Sequence, residues 1–329
     1  MEEIDRIGGD PLPYSLVPMK KYLFFTLFCT LPLLALEEEE LQWEEDAGPS
    51  VQEYNSALQD AIQAQNWWEV IDYADIISYN FPTSPFAQDM AFMMGEAYFN
   101  LGHLELANEC FSAYLNHSPS PRHFEKAIEY KFNIAQRFRH GAKKPLFGSH
   151  KMPDIVPAQE EAIQIYDEVI TTLPHSEFAV QSLLGKAKLQ AEIEEYKPSL
   201  ETLDLLIRRF PKHDLAAEAY LEKNLVYLMQ CQGQSLDADF LDLAEVNLRK
   251  FRLSFPREPR LVQAEKAIVE MQEIFAQNLL DTGRFFEKTK KVPASILYYN
   301  KVIAKFPNTE AAVLARKKLE TLQPARPSP

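Results

Sequence analysis

Glycine is scarce in this chain, at 10 of 329 residues. Loop-rich and sheet-rich folds use more, as do folds built around Gly-rich phosphate loops. Cysteine is scarcer still: three residues, Cys29, Cys110 and Cys231, with no Cys-x-x-Cys. Three thiols do not staple a scaffold. His-Glu-x-x-His, Gly-x-Ser-x-Gly, P-loop and Gly-x-Gly-x-x-Gly patterns are all missing. Zinc, acyl-transfer and nucleotide chemistry therefore have no anchor, and no catalytic residue, metal or cofactor is expected. Positive charge is also in short supply: 34 Lys and Arg face 48 Asp and Glu, a net charge of −14. A dedicated nucleic-acid binder needs a basic surface, so that partner class is excluded. What the chain does have is 46% hydrophobic residues, enough for a large core. The composition predicts an acidic, mostly helical protein.

The longest apolar run lies near the beginning. Met19-Lys20-Lys21 precedes Tyr22–Leu34, and Ala35 offers a small residue for cleavage before Glu37–Glu40. The run is short for a membrane span and matches the apolar region of a signal peptide at 19–35. Residues 1–18 then read as a start-site artefact, and 36–49 as an acidic linker. Cys29 is preceded by Phe28 and Thr26 where a lipoprotein box wants small and Leu residues. Lipidation there is not expected.

One phrase recurs along the rest: an aromatic or apolar residue, Pro, then a polar residue opening a new helix. It reads Phe81-Pro82-Thr83-Ser84, Leu173-Pro174-His175-Ser176, Phe210-Pro211-Lys212-His213, Phe255-Pro256-Arg257-Glu258 and Phe306-Pro307-Asn308-Thr309, with a weaker copy at Ser118-Pro119-Ser120. Proline ends the helix before it, and a short polar side chain caps the next. Between the marks, apolar residues recur at helical spacing, as in Ala91, Met94, Ala97, Tyr98 and Leu101, followed by Leu104, Ala107, Phe111, Tyr114 and Leu115. Each unit is a helix pair that cannot bury its face alone, so the pairs must stack. Six pairs are predicted: 51–64/67–80, 84–101/104–117, 121–139/158–172, 176–192/197–209, 214–231/237–254 and 258–288/293–305. A cap follows at 309–322, then a disordered tail at 323–329. Gly95, Tyr98, Ala107, Phe111 and Pro119 sit where the tetratricopeptide repeat has its small, aromatic and proline positions, as do Gly283, Phe286, Ser295, Tyr299 and Pro307. The expected fold is all-α, a right-handed superhelical solenoid of tetratricopeptide-like pairs at 50–322. Its N-terminal repeats are 50–175 and its C-terminal repeats 176–322.

Two segments carry a more specific resemblance. Ala244–Ala311 has a helix ending in Phe255-Pro256 and about 30 helical residues from Pro259. Gly283-Arg284-Phe285-Phe286, a basic turn and Ala294-Ser295-Ile296-Leu297 lead on to Phe306-Pro307-Asn308-Thr309. The third pair is broken by a loop containing Phe147-Gly148. This order resembles the BamD-type proteins, the tetratricopeptide lipoproteins of outer-membrane barrel assembly. The resemblance implies a non-catalytic periplasmic scaffold at the inner face of the outer membrane. Its implied partners are a BamA-type barrel-assembly protein, other subunits of that complex and unfolded outer-membrane protein segments. The chain departs from the family by a sixth pair, the poor lipoprotein box and Leu297-Tyr298 where Asn-Arg is usual. Other readings are a TolA-associated periplasmic coordinator, for which 36–60 is too short a coiled coil, and a cytosolic repeat chaperone for secreted proteins.

Candidate sites follow from the stacking. First helices line the concave groove, which places Asp89, Phe92, Glu96, Phe99 and Asn100 there. Phe92 and Phe99 lie two turns apart on one face and suit aromatic-rich unfolded segments. Arg137, Arg139, Lys143, Lys144 and Lys151 form a local reversal of field, with no acid between Glu129 and Asp154. Lys288, Lys290 and Lys291 form a second basic cluster, and Tyr298 and Lys301 complete the candidate partner surface. One of Trp67 and Trp68 is expected to be exposed.

Overall fold

A computed structural model describes residues 49–117, 121–146, 152–233 and 237–322. Residues 1–18, the leader at 19–35, all of the 36–49 linker but Pro49, Cys29, Pro119, Phe147-Gly148, Lys151 and the 323–329 tail lie outside the described residues. From Pro49 onward the chain is one unit. It contains thirteen helices among those residues. The first six are α1 (Val51–Gln63), α2 (Trp67–Asn80), α3 (Ala87–Leu101), α4 (Leu104–His117), α5 (Phe124–Arg139) and α6 (Gln159–Thr172). The others are α7 (Glu177–Glu192), α8 (Tyr196–Arg209), α9 (Asp214–Gln232), α10 (Asp239–Ser254), α11 (Leu261–Lys288), α12 (Val292–Lys305) and α13 (Glu310–Leu322). They stack as six consecutive pairs with α13 on the end, an all-α solenoid. Among the described residues no helix is long and apolar enough to cross a membrane.

The proline phrase has one geometry. Phe81, Leu173, Phe210, Phe255 and Phe306 all sit at φ between −127° and −135° and ψ between 51° and 69°. Each still donates its N–H to the carbonyl four residues back. The following proline ring pushes its predecessor out of the helical region, so the helix stops there. Ser176 and Thr309 then accept from Ala179 N and Ala312 N, capping α7 and α13. At the first helix, Ser50 and Glu53 form a reciprocal capping box.

The turn after the first helix repeats as well, in five of the six pairs. Gln65, Gly102, Gly141, Glu194 and Lys290 all have positive φ, 55° to 96°. The next residue donates to the carbonyl five back: Asn66 to Ala61, His103 to Tyr98, Ala142 to Arg137, Glu195 to Gln190 and Lys291 to Phe286. This is the Schellman ending, whose N–H groups donate to the last orphan carbonyls of the helix. Only two of the five are glycine, so the pattern is hidden in the sequence.

Small residues let paired helices touch. A Cβ on Gly95 would meet the Phe111 ring at 2.8 Å, and one on Gly283 would meet Tyr299 at 2.6 Å. In the fourth pair Ser199 sends its hydroxyl 2.8 Å to the Ala187 carbonyl. The core runs without a break through Ser176, from Phe92 on α3 to Val226 on α9.

Three expected boundaries move. α3 starts at Ala87 rather than 84, because Pro85 and the Ser84 turn precede it. α5 and α11 start at Phe124 and Leu261, after turns closed onto Pro121 and Glu258. The break in the third pair is not plain loop. β1 (Lys143–Pro145) and β2 (Asp154–Pro157) pair antiparallel, with Lys144 opposite Val156. Pro145, Pro153 and Pro157 mask this hairpin in the sequence, since proline demotes a strand.

Lys131 on α5 is 2% exposed. Its Nζ reaches Ser112 Oγ and Glu168 Oε2 at 2.6 Å and Asn108 Oδ1 at 2.8 Å, tying α5 to α4 and α6. Burial pulls its pKa down, against the pull of Glu168. All three partners keep access to water. Replacing Lys131 by Met should therefore change stability by less than about 1 kcal/mol, because the acceptors resolvate and the stem volume is kept. Lys131→Ala should cost about 2–3 kcal/mol through the void it leaves. Urea unfolding of the two variants checks this.

Candidate protein-binding surfaces

The expected aromatic groove on α3 is closed. Phe92 is only 1% exposed. Its ring stacks on His123 at 4.6 Å and tilts against Phe111, Tyr114 and Tyr130. Phe99 is 9% exposed, with the Arg137 guanidinium 4.0 Å from its ring centre and Arg137 Nη1 donating to its carbonyl. Glu96 accepts from Tyr130 Oη at 2.6 Å and Lys126 Nζ at 3.2 Å. Asp89 accepts from Tyr114 Oη and pairs with Arg122 at 3.5 Å. Asn100 turns back on its own helix, donating to the Glu96 carbonyl. The stripe Lys126, Tyr130 and Arg137 on α5 thus covers the α3 stripe. Phe92 is core rather than a peptide contact, because neighbouring first helices pack on each other. Burial, then the Glu96 carboxylate, pushes the Tyr130 hydroxyl above its ordinary value and keeps it a donor.

An opening remains beside it. Phe99, Leu104, Asn133, Gln136, Arg137 and His140 line a cleft of about 710 Å³. Phe99 and Leu104 give it an apolar side, and Asn133, Gln136, Arg137 and His140 give it a polar one along α5.

The basic stretch is partly neutralised. Arg139 pairs with Glu192 at 2.9 Å and Lys144 pairs with Glu161. Arg137 is engaged on Phe99, whereas Lys143 is exposed. Trp68 is the exposed indole, 53% accessible and 5.7 Å from the His103 ring. Cys110 and Cys231 are free thiols, each pushed up to about 11 by burial. At that pKa little thiolate forms at neutral pH. Among the described residues no group of His, Cys, Asp and Glu has the arrangement of a metal site.

The C-terminal candidates do come together. Lys288 ends α11, and Lys290 and Lys291 form the exposed turn into α12. One turn before Lys288, Phe285 is 59% exposed and packs edge-on against Phe286 at 5.6 Å. Phe286 stacks on Tyr298 at 5.4 Å, and Lys301 Nζ lies 4.9 Å over the Tyr298 ring. Leu297, 53% exposed, flanks Tyr298. Aromatic and cationic groups thus share one surface on the hairpin of α11 and α12. Sequence reasoning found its lysines, Tyr298 and Lys301. It took Phe285 and Leu297 only as pattern residues, since nothing local says which member of an aromatic pair points out.

Residues 156–325 match the family model YfiO, described as an outer membrane lipoprotein. The chain belongs to the YfiO outer membrane lipoprotein family. YfiO is the BamD family, so the resemblance seen in Ala244–Ala311 stands, and with it a tetratricopeptide-type scaffold of outer-membrane assembly. The matched span includes the whole basic–aromatic surface and begins within β2. No curated protein matches the chain. Among solved structures it is similar to a tetratricopeptide repeat protein from Parabacteroides merdae at 13% identity and a TM-score of 0.37, covering 83% of this chain and 98% of that one. MamA from Desulfovibrio magneticus is similar at 13% identity and a TM-score of 0.35, covering 64% and 97%. PilW, a type IV pilus biogenesis factor, is similar at 14% and 0.29, covering 80% and 98%.

Proposed function

We propose that this YfiO-family chain is a scaffold for inserting β-barrel proteins into the outer membrane, working at its periplasmic face. Its C-terminal repeats dock on a BamA-type barrel-assembly protein. Its N-terminal repeats hold unfolded outer-membrane protein segments. The observation that carries the reading is the surface of Phe285, Tyr298, Lys288, Lys290, Lys291 and Lys301 within the matched residues. Exposed aromatics ringed by cations, in a chain of net charge −14, fit an acidic protein surface with an apolar centre. The cleft beside Phe99 and Arg137 supports the substrate half, because it mixes apolar edges with donors an extended backbone can use.

Pull-down from envelopes in mild detergent, followed by mass spectrometry, tests it. Wild type should co-purify a barrel-assembly protein. The triple variant Lys288→Glu, Lys290→Glu, Lys291→Glu should lose at least ten-fold of that yield while keeping its melting temperature. Equal recovery would rule out this surface, and recovery of only cytosolic partners would rule out the function.

A further inference from the structure

Charge is divided along the stack. Between Lys21 and Arg122 the sequence has 16 Asp and Glu and no Lys or Arg. From Arg122 to Pro329, 31 Lys and Arg face 28 Asp and Glu. The whole net negative charge therefore arises before Arg122. Nine of the 16 acids lie on α1 to α4. Asp89 and Glu96 meet Arg122 and Lys126 of α5. The other seven pair with no cation among the described residues.

Part of this charge stands in an aromatic stripe. Trp68, Asp72, Asp75 and Tyr79 follow one another on α2 at spacings of four, three and four, so they share one face. All four are exposed, Trp68 to 53% and Tyr79 to 84%. Tyr98 of α3 and His103 border the stripe: the His103 ring is 5.7 Å from Trp68 and 6.4 Å from Tyr98. Asp75 and Asp72 act on the Tyr98 hydroxyl and help push it above its ordinary value, after burial and Cys110. Lys143 and Lys144 approach His103 in a small cavity shared with Glu105 and Asp154, and neither pairs with an acid of the stripe.

The fold gains little from this stripe. Asp72 and Asp75 are like charges one turn apart, which is mildly unfavourable within a helix. Trp68 and Tyr79 leave two large rings in water, as surfaces made to be covered do. A partner that brings positive charge relieves both.

We propose that this stripe binds an extended, arginine-bearing segment of another protein. A guanidinium lies flat on an indole or phenol ring while its fork bonds a carboxylate beside it. Here the order along the helix is ring, acid, acid, ring, so each ring has a carboxylate one turn away. From Trp68 to Tyr79 the stripe runs about 16 Å at 1.5 Å per residue, the reach of about five extended residues. Alternate residues of an extended chain point the same way about 6.6 Å apart, close to the one-turn spacing of the stripe, so Arg-x-Arg fits it. The stripe shares no residue with the Arg137 cleft or the Phe285–Tyr298 surface, and the proposal does not depend on either.

Fluorescence anisotropy of the full-length chain at about 0.15 M salt tests this, where loose surface attraction is screened. The probe is a labelled peptide of alternating Arg and Ser, about six residues long, with Lys/Ser and Glu/Ser peptides of the same pattern as controls. Wild type should bind the Arg peptide, bind the Lys peptide about three-fold or more weakly, and not bind the Glu peptide. Trp68→Ala and the double variant Asp72→Asn, Asp75→Asn should each weaken binding of the Arg peptide about ten-fold. The double variant Glu201→Gln, Glu320→Gln removes as much charge from exposed positions of the C-terminal repeats and should bind as wild type does. Equal binding by wild type and the α2 variants, an equal loss in the C-terminal variant, or equal binding of the Arg and Lys peptides would overturn the proposal. If Trp68→Ala does not melt like wild type, the Asp72 and Asp75 variant decides alone, because both side chains are exposed.

Discussion

Gly283→Leu is expected to unseat α12 and α13 and to cost about 3 kcal/mol, the upper end of what overpacking a core costs. A Cβ at this position already falls 2.6 Å from Tyr299 Cε1 and 2.8 Å from its Cδ1. The ring has nowhere to go. Tyr299 is fully buried, and its hydroxyl is held 2.6 Å from Glu287, which Lys318 grips from α13 at 3.0 Å. Those two contacts keep the Glu287 carboxyl below its ordinary pKa, so the anchor is charged at neutral pH. Moving the ring thus breaks the tie between α11, α12 and α13 at once. In stacked repeats each unit leans on its neighbours alone, so the damage should stay local. Hydrogen exchange should show lost protection in α12 and α13 and unchanged protection from α1 to α8. Uniform loss across the chain would mean that the solenoid opens as one block, and the local account would be wrong.

Phe111→Ala is expected to cost roughly 3–5 kcal/mol, the range for deleting a fully buried phenyl ring. Phe111 is 0% exposed. It lies flat on Tyr130 at 5.0 Å, tilts on Phe92 at 5.7 Å, and fills the hollow left by Gly95. The ring therefore joins α3, α4 and α5, and its loss also loosens the α5 stripe that supports the Arg137 cleft. Urea unfolding gives the cost. A double-mutant cycle tests the cause: Gly95→Val alone should destabilise, yet in the Phe111→Ala background it should recover about 1 kcal/mol or more by refilling the void. Strict additivity of the two changes would show that glycine and ring do not meet.

The helices were legible because their causes are local. Phe-Pro stops a helix through the proline ring, Ser176 and Thr309 cap the next, and apolar spacing marks the buried side. The pairs with their cap followed from one unit being unable to bury its own face. Gly95 with Phe111 and Gly283 with Tyr299 were readable for the same reason, since a fixed spacing within one pair sets them opposite each other. The β hairpin was missed because its prolines speak against strands, whereas its position beside the turn of α3 and α4 is a tertiary matter. The left-handed turns at Gln65, Glu194 and Lys290 were missed because Schellman geometry is imposed there on residues that do not advertise it.

The sites divided along the same line. By itself the sequence determined which residues carry charge and aromatic surface, and in which pair each lies. It did not determine which of them meet. Phe92 and Phe99 looked free because one helix shows its own inner face, and only the packing of α5 on α3 shuts them in. Arg139 and Lys144 looked like free cations until Glu192 and Glu161, 53 and 17 residues away, were folded against them. Tyr298 stays half-buried at the surface because the long α11 carries Phe286 under it. Local sterics and spacing are written residue by residue. Exposure and ion pairing depend on what the rest of the chain brings up against each side chain, and that is decided only by the fold.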